Sequence, residues 1–366
     1  LKNVKPEFNR IAIKVGSNVI TQSDGSLNTG RMLRLVEDIA ILSKQGIEVI
    51  LISSGAVAAG RNDVAPSKRT SIISARQIWA ATGQVKLMAN YQFLFGKYGI
   101  PAGQLLATKE GFRDRLHYLN MKNCLSAMLE NKVLPIVNEN DTISITELMF
   151  TDNDELSGMI SSMMDCGSLI ILSNVDGIYK GVPENDSSEL IREIVGESQE
   201  AMKYISPSSS GFGRGGMLTK YSIAREMASE GIHVYIANGT RDSIITDIVR
   251  GKEVPYTHFA ASTVKKSGVK KWLSHSREFT KGGAYINKGA QEALLDDKAV
   301  SLLMIGVSKI EGSFKKGDII RILDEKGRQI GLGKSQYDSK KAEQYIGEKR
   351  KKPLILYDYL LINDKL

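Results

Sequence analysis

Five short, almost uninterrupted apolar runs constrain this chain more than any other feature: Arg10–Val15, Glu48–Ile52, Val133–Val137, Ser168–Leu172 and His233–Ala237. A strand with one face in water alternates apolar and polar residues. A run that does not alternate is covered on both faces, as in the interior of a parallel sheet. A further apolar segment near Leu105 is expected to join them. Between the runs lie stretches of helical period. Thr29 is expected to cap a helix whose stripe is Met32, Leu35, Val36, Ile39 and Leu42, and Gly46 to end it. Further helices are expected over about 70–98, 116–131, 154–164 and 219–230. Strands alternating with helices predict an α/β sheet with helices on both faces.

Ligands of such sheets bind beyond the carboxyl ends of the strands. Lys14, Gly16 and Ser17 stand at the end of the first run, and Ser53-Ser54-Gly55-Ala56 follow the second. Asn138-Glu139-Asn140-Asp141 follow the run ending at Val137, and Ser173-Asn174 and Asp176-Gly177 the run ending at Leu172. Small residues, amides and carboxylates at four strand ends predict a polar site along one sheet edge.

The last hundred residues differ. Residues 1–264 carry 27 Lys and Arg against 28 Asp and Glu, whereas residues 265–366 carry 22 against 13, a net of +9. At 366 residues the chain exceeds what one core usually serves. Two domains are therefore expected, 1–264 and 265–366. In the second, short apolar segments (284–286, 301–305, 319–323, 330–333, 354–357) alternate with turns, with one helix expected over 289–296, the pattern of a small, mostly β domain. Its charge suits RNA or another polyanion, and equally a merely solvated basic surface. Apolar content of 42% with 25% charged residues excludes a largely disordered chain. No apolar run reaches the ~18–20 residues that span a bilayer, and Leu1–Arg10 lacks the apolar core of a secretory signal. Cys124 and Cys166 cannot build a disulfide framework or a four-ligand zinc site, and both are expected to be buried. A cytoplasmic protein with no membrane contact is the expectation.

Several segments could carry chemistry. Gly211-Phe212-Gly213-Arg214-Gly215-Gly216 leads into a helix with Lys220 near its start. It is neither a Walker loop nor, lacking a strand before it, a dinucleotide fingerprint. Backbone N–H groups in such a loop can wrap phosphates, or the stretch is simply a glycine-rich surface loop. Lys14 and Lys220 together would neutralise a transferring phosphoryl group if the fold brings them together. Asp152-Asn153-Asp154 precede an apolar helix, so capping competes with a functional role. Asn138-Glu139-Asn140-Asp141 suit an ammonium group or a metal-bound nucleotide. His117, His233, His258 and His275 share no catalytic or metal-binding spacing, and no metal ligands are assigned.

Taken together, Ile13-Lys14-Val15-Gly16-Ser17, Ser53-Ser54-Gly55-Ala56-Val57-Ala58-Ala59-Gly60-Arg61, Asn138-Glu139-Asn140-Asp141, Asp152-Asn153-Asp154 and Gly213-Arg214-Gly215-Gly216-Met217-Leu218-Thr219-Lys220 resemble the glutamate 5-kinase family, one branch of the amino acid kinases. The resemblance covers residues 10–250 in colinear order, and the stretch from about Trp272 resembles a PUA domain. It implies an αβα sandwich with a mainly parallel sheet plus a small PUA-like domain, and an enzyme that uses ATP and Mg2+ to phosphorylate the γ-carboxylate of L-glutamate, the first step of proline biosynthesis. Lys14 and Lys220 resemble the lysines that stabilise the phosphoryl group, and Asp154 the acid that holds them. Ser54, Asp141 and Asn153 resemble glutamate-binding residues, with Asn138 and Asp152 as neighbours. Lys14, Ser173, Asn174 and the stretch Arg214, Gly215, Gly216, Met217, Leu218, Thr219, Lys220 resemble nucleotide-binding positions. Candidate partners implied are proline as a feedback inhibitor, RNA at the C-terminal domain, a glutamate-5-semialdehyde dehydrogenase that takes the labile product, and further copies of the chain in a homo-oligomer. Asn174, Thr151, Asn18 and Tyr221 depart from the family's usual residues. Two alternatives stay open: an RNA-binding protein whose kinase-like domain senses a ligand, or a sibling kinase for another carboxylate.

Overall fold

The computed structural model describes residues 8–144, 150, 152–180, 188–196, 216–263, 268–274, 280–296 and 300–362. It divides into two compact units, Leu1–Lys265 and Lys266–Leu366. The first contains β1 (Arg10–Val15), β2 (Glu48–Ser53), β3 (Ala102–Ala107), β4 (Leu134–Glu139), β5 (Ser168–Ser173), β6 (Tyr179–Lys180), β7 (Glu189–Leu190), β8 (Glu193–Ile194), β9 (His233–Asn238) and β10 (Tyr256–Phe259). Eight of them form one sheet in the order β3-β4-β2-β1-β5-β9-β10-β8. All neighbours run parallel except β9 and β10. The expected runs are therefore central strands, and their carboxyl ends share an edge.

Helices cover this sheet: α1 (Ser17–Ile20), α2 (Thr29–Lys44), α3 (Ala56–Arg61), α4 (Ile72–Gly96), α5 (Lys109–Arg113), α6 (Arg115–Glu130), α7 (Asn153–Met163), α8 (Met217–Ser229) and α9 (Ile244–Val249). Alternation along β1 decides what each face meets. Ile11, Ile13 and Val15 join a core with Met32, Val36, Ile39, Leu87 and Phe95 of α2 and α4. Ala12 and Lys14 turn to the other face, where α7 packs on β1, β2, β4 and β5. That parity places a lysine under the first turn of α7.

The cap of α2 lies one residue before the expected Thr29. Asn28 Oδ1 accepts from Arg31 N at 3.1 Å, because an amide acceptor placed at 28 reaches the third helical N–H. Gly46 ends that helix at φ +82°. α3 and α4 cross so closely that a Cβ on Gly60 would lie 2.0 Å from Trp79 O, and one on Gly83 1.8 Å from Ala56 O. No side chain fits there. Cys166 is buried, but Cys124 is exposed. It is the neighbour of Leu125 on α6, and Leu125 takes the inward position.

The second unit has α10 (Gly268–Ser274), β11 (Gly282–Ile286), α11 (Lys288–Leu295), β12 (Val307–Gly312), β13 (Ile319–Leu323), β14 (Gln329–Ser335), α12 (Ser339–Gln344) and β15 (Ile355–Ile362). Its sheet runs β12-β11-β13-β14-β15, antiparallel except between β11 and β13. Ala284, Ile286, Ile320, Ile322, Ile330 and Leu354 fill its core. The segment 301–305, expected as a strand, makes a single bridge at Leu302 and then a 3-10 turn at Met304–Gly306. Its apolar residues fill the core from a turn, and the strand follows at β12.

Candidate active site

Four elements converge beyond the carboxyl edge of the first sheet. Lys14 is the fifth residue of β1, and Asp154 is in the first turn of α7. Lys220 is in the first turn of α8, and Ser54 follows β2. Lys14 Nζ lies 2.5 Å from Asp154 Oδ1, and Lys220 Nζ lies 2.9 Å from Asp154 Oδ2. All three are buried, Asp154 completely. Burial alone would raise the Asp154 carboxyl, but the two ammonium groups outweigh it and hold it below the usual carboxylate range. Two cations share the one ionised Asp154 carboxylate, the neighbouring Asp152 carboxyl is pushed toward its neutral form, and the N-terminus of α7 adds its partial charge. Such a centre is built for an anion.

A second cluster adjoins it. Asn153 Nδ2 donates to Ser54 Oγ at 2.7 Å and to Asn138 Oδ1 at 2.9 Å, and Asn138 Nδ2 donates to Gln84 Oε1 at 2.8 Å. Gly55, at φ +103°, turns the chain sharply from β2 into α3 and leaves Ser54 at this junction. Asp152 caps α7, its Oδ1 accepting from Asp154 N at 2.9 Å and Glu155 N at 3.1 Å. Burial and the neighbouring Asp154 charge push the Asp152 carboxyl up to about 7. Asp152 thus serves as the cap, the competing reading of that segment. Asn153 and Asp154 turn into the site instead.

The strand-end segment 138–141 divides as well. Glu139 is buried and accepts from Phe150 N at 3.1 Å, and Asn140 Oδ1 accepts from Thr142 Oγ1, so both hold the local chain. The ligand-facing reading of all four residues therefore narrows to Asn138 and Asp141. Asp141 Oδ1 accepts from Arg76 Nη2 at 3.0 Å, one residue before Gln77, whose amide donates to Thr142 O. Arg76 and Gln84 of α4 escape a sequence reading, because that helix is apolar enough to read as packing. Nothing in the local pattern sets them apart from Gln77, Lys86, Asn90 and Gln92 of the same helix.

At the exposed end of β5, Ser173 Oγ donates to Asn174 Oδ1 at 3.3 Å. Gly216 caps α8, whose first turn holds Met217, Leu218 and Thr219. Arg214, Gly215, the rest of the glycine-rich loop and Thr151 lie outside the described residues. Tyr221 is buried against Phe259, with ring centroids 5.7 Å apart. It therefore fills core volume beside Lys220. Among the histidines, His233 and His258 meet across β9 and β10, Nδ1 to Nε2 at 3.0 Å, at the amino end of β9. No group of three or more His, Cys, Asp or Glu side chains converges for a metal among the described residues.

The model of the amino acid kinase family matches residues 9–238, and that of the PUA domain matches residues 282–354. The chain is 53% identical over 360 residues to the glutamate 5-kinase of Bacteroides thetaiotaomicron, covering 98% of this chain and 100% of that relative. It is 47% identical over 358 residues to the glutamate 5-kinase of Chlorobaculum tepidum, covering 98% of each. An isopentenyl phosphate kinase of known X-ray structure is similar at 17% identity and a TM-score of 0.49, covering 69% of this chain and 100% of that one.

Proposed function

The chain is an enzyme of the amino acid kinase family, on its glutamate 5-kinase branch and with a PUA domain, and we propose that it transfers the γ-phosphoryl group of Mg2+-bound ATP to the γ-carboxylate of L-glutamate. The observation that carries this reading is the Lys14–Asp154–Lys220 centre bordered by the Ser54, Asn153 and Asn138 cluster. The acceptor carboxylate is already ionised at pH 7, so no general base is needed. One of its oxygens attacks the γ-phosphorus, the bond to the β,γ-bridging oxygen breaks, and ADP leaves. Phosphoryl transfer needs position and charge more than covalent help. Lys14 and Lys220 compensate the negative oxygens as they reorganise, and Asp154 fixes both ammonium groups. Ser54, Asn153 and Asn138 orient the acceptor, while Ser173, Asn174 and Gly216 to Lys220 border the nucleotide. Magnesium, bound with ATP, screens the phosphates.

The same reading makes the acyl phosphate the first intermediate of proline biosynthesis, in the cytoplasm. Proline then suits the enzyme as a feedback inhibitor. A glutamate-5-semialdehyde dehydrogenase suits it as the taker of the labile product, and further copies of the chain as a homo-oligomer. RNA is the ligand we assign to the basic C-terminal unit. ADP release is measured side by side with L-glutamate, L-aspartate, N-acetylglutamate and UMP. The expected result is turnover with L-glutamate at least tenfold above the others in kcat/KM, about 1.4 kcal/mol or more of discrimination. Equal or better turnover of another acceptor would move the chain to a sibling activity. No turnover of any acceptor would favour a ligand sensor.

A further inference from the structure

Four buried polar atoms around the amide cluster have no partner among the described residues: Nε of Arg76, Nε2 of Gln84, Oδ1 of Asn153 and Oδ2 of Asp152. Native proteins leave few such atoms, and each is costly. Two are donors on α4 and two are acceptors at the start of α7. Arg76 and Gln84 lie two turns apart on one face of α4. Both reach the same strand-end segment, Arg76 through Asp141 and Gln84 through Asn138.

We infer that Arg76 is a specificity residue that binds the α-carboxylate of the amino acid acceptor while Asp141 binds its α-ammonium, an inference that rests on the function proposed above. A zwitterion set against the Arg76–Asp141 pair completes a square of alternating charge, carboxylate to guanidinium and ammonium to carboxylate. The guanidinium has five N–H groups in a planar fork, so Nη2 can stay on Asp141 while Nε turns to the ligand. This polarity directs the side-chain carboxylate toward Gln84, Asn153 and the Lys14–Asp154–Lys220 centre. An acceptor without a free α-carboxylate forfeits the Arg76 contact.

The test compares the full chain with Arg76→Ala and Arg76→Lys, using L-glutamate as acceptor and 4-aminobutyrate, which lacks the α-carboxylate, as a competing ligand. In Arg76→Ala the KM for L-glutamate rises about 10- to 100-fold, the scale of one charge-assisted hydrogen bond. Its kcat stays within about threefold, because the contact is made equally in ground and transition states. Arg76→Lys, keeping the charge, recovers part of the loss. The inhibition constant of 4-aminobutyrate stays within about twofold of wild type, since that ligand never used Arg76. A constant that rises in step with the glutamate KM would mean that Arg76 acts through Asp141 or the fold, and would overturn the inference. So would a KM within about twofold of wild type in Arg76→Ala. A wild-type chain that does not phosphorylate L-glutamate overturns the functional reading and this inference together.

Discussion

The two units build sheets from similar apolar strands and do opposite things with the strand ends. In the first, β1, β2, β4, β5 and β9 run parallel, so Ser54, Asn138 and Asn174 emerge on one edge beside Lys14. In the second, β13, β14 and β15 alternate in direction and deliver their ends to opposite edges. Polar groups there close turns one at a time. Asp324, just after β13, accepts from Lys326 N at 2.9 Å, Arg328 N at 2.8 Å and Arg328 Nε at 2.7 Å. Strand direction decides whether polar ends accumulate into a site or are used up locally. The second unit, residues 266–366, carries 21 Lys and Arg against 13 Asp and Glu, a net charge of +8.

The largest expected effect strikes the accumulated charges. Asp154→Asn removes the carboxylate that the buried Lys14 and Lys220 ammonium groups share, and breaking a buried pair this way costs about 3–5 kcal/mol. The unfolding transition of the first unit, followed in urea, should fall by that amount, while the second unit's transition stays put. If both fall together, the units are not energetically separate. Next comes Lys220→Ala, for which kcat for L-glutamate should drop about 10²–10³-fold, the range for deleting one preorganised electrostatic group. Near-normal kcat in the folded variant would remove Lys220 from the mechanism.

Most of the sheet could be read in the sequence, because uninterrupted apolar runs need both faces covered and parallel strands supply that. The gathering of Lys14, Ser54 and Asn138 at one edge followed from the strand-end rule, whereas Asn153 and Asp154 joined them only through the family resemblance, because capping read their segment equally well. Three things did not follow. Arg76 and Gln84 reach the site from the first half of α4, where local pattern does not distinguish them from the helix's other polar residues. The roles of Glu139 and Asn140 depended on Phe150 and Thr142, partners that spacing does not reveal. The His233–His258 contact arises from antiparallel register between β9 and β10, which two isolated histidines cannot announce.

A smaller effect separates the units by pH. Asp152 holds its proton to about pH 7 in the folded chain but only to the ordinary carboxylate range when unfolded. Between those values the folded state binds more protons, so this group's contribution to stability declines as pH rises. The opposite holds for Asp324. Desolvation would raise it, but the Arg328 and Lys326 hydrogen bonds prevail and lower it. Its contribution is present above the ordinary carboxylate value and is lost as pH falls through the lowered one. Asp152→Asn, which keeps a capping acceptor, should flatten the decline of first-unit stability between about pH 4 and 7. Urea midpoints at half-unit pH steps measure it, and an unchanged slope would mean that Asp152 stays ionised in the folded chain.

The smallest expected effect follows from placing the whole active site in the first unit, which we propose. Every residue assigned to chemistry or substrate lies between Lys14 and Lys220, and the cores of the two units are separate clusters. A chain ending at Lys265 keeps all of β10, which closes on β9, and the hydrogen bond from Ser262 N to Ala228 O that ties down its last described turn. It retains enough chain for one α/β core. Its kcat for L-glutamate should stay within about tenfold of the full chain, or ~1.4 kcal/mol in barrier. Any binding of RNA or another polyanion should vanish with the basic unit, and in the full chain it should weaken steeply between about 50 and 200 mM salt, as phosphate contacts do. Circular dichroism establishes that the shortened chain is folded before ADP release is read. A folded but inactive product would mean that the antiparallel unit supplies something the parallel edge lacks, and the contrast between the two would then be one of cooperation instead of division.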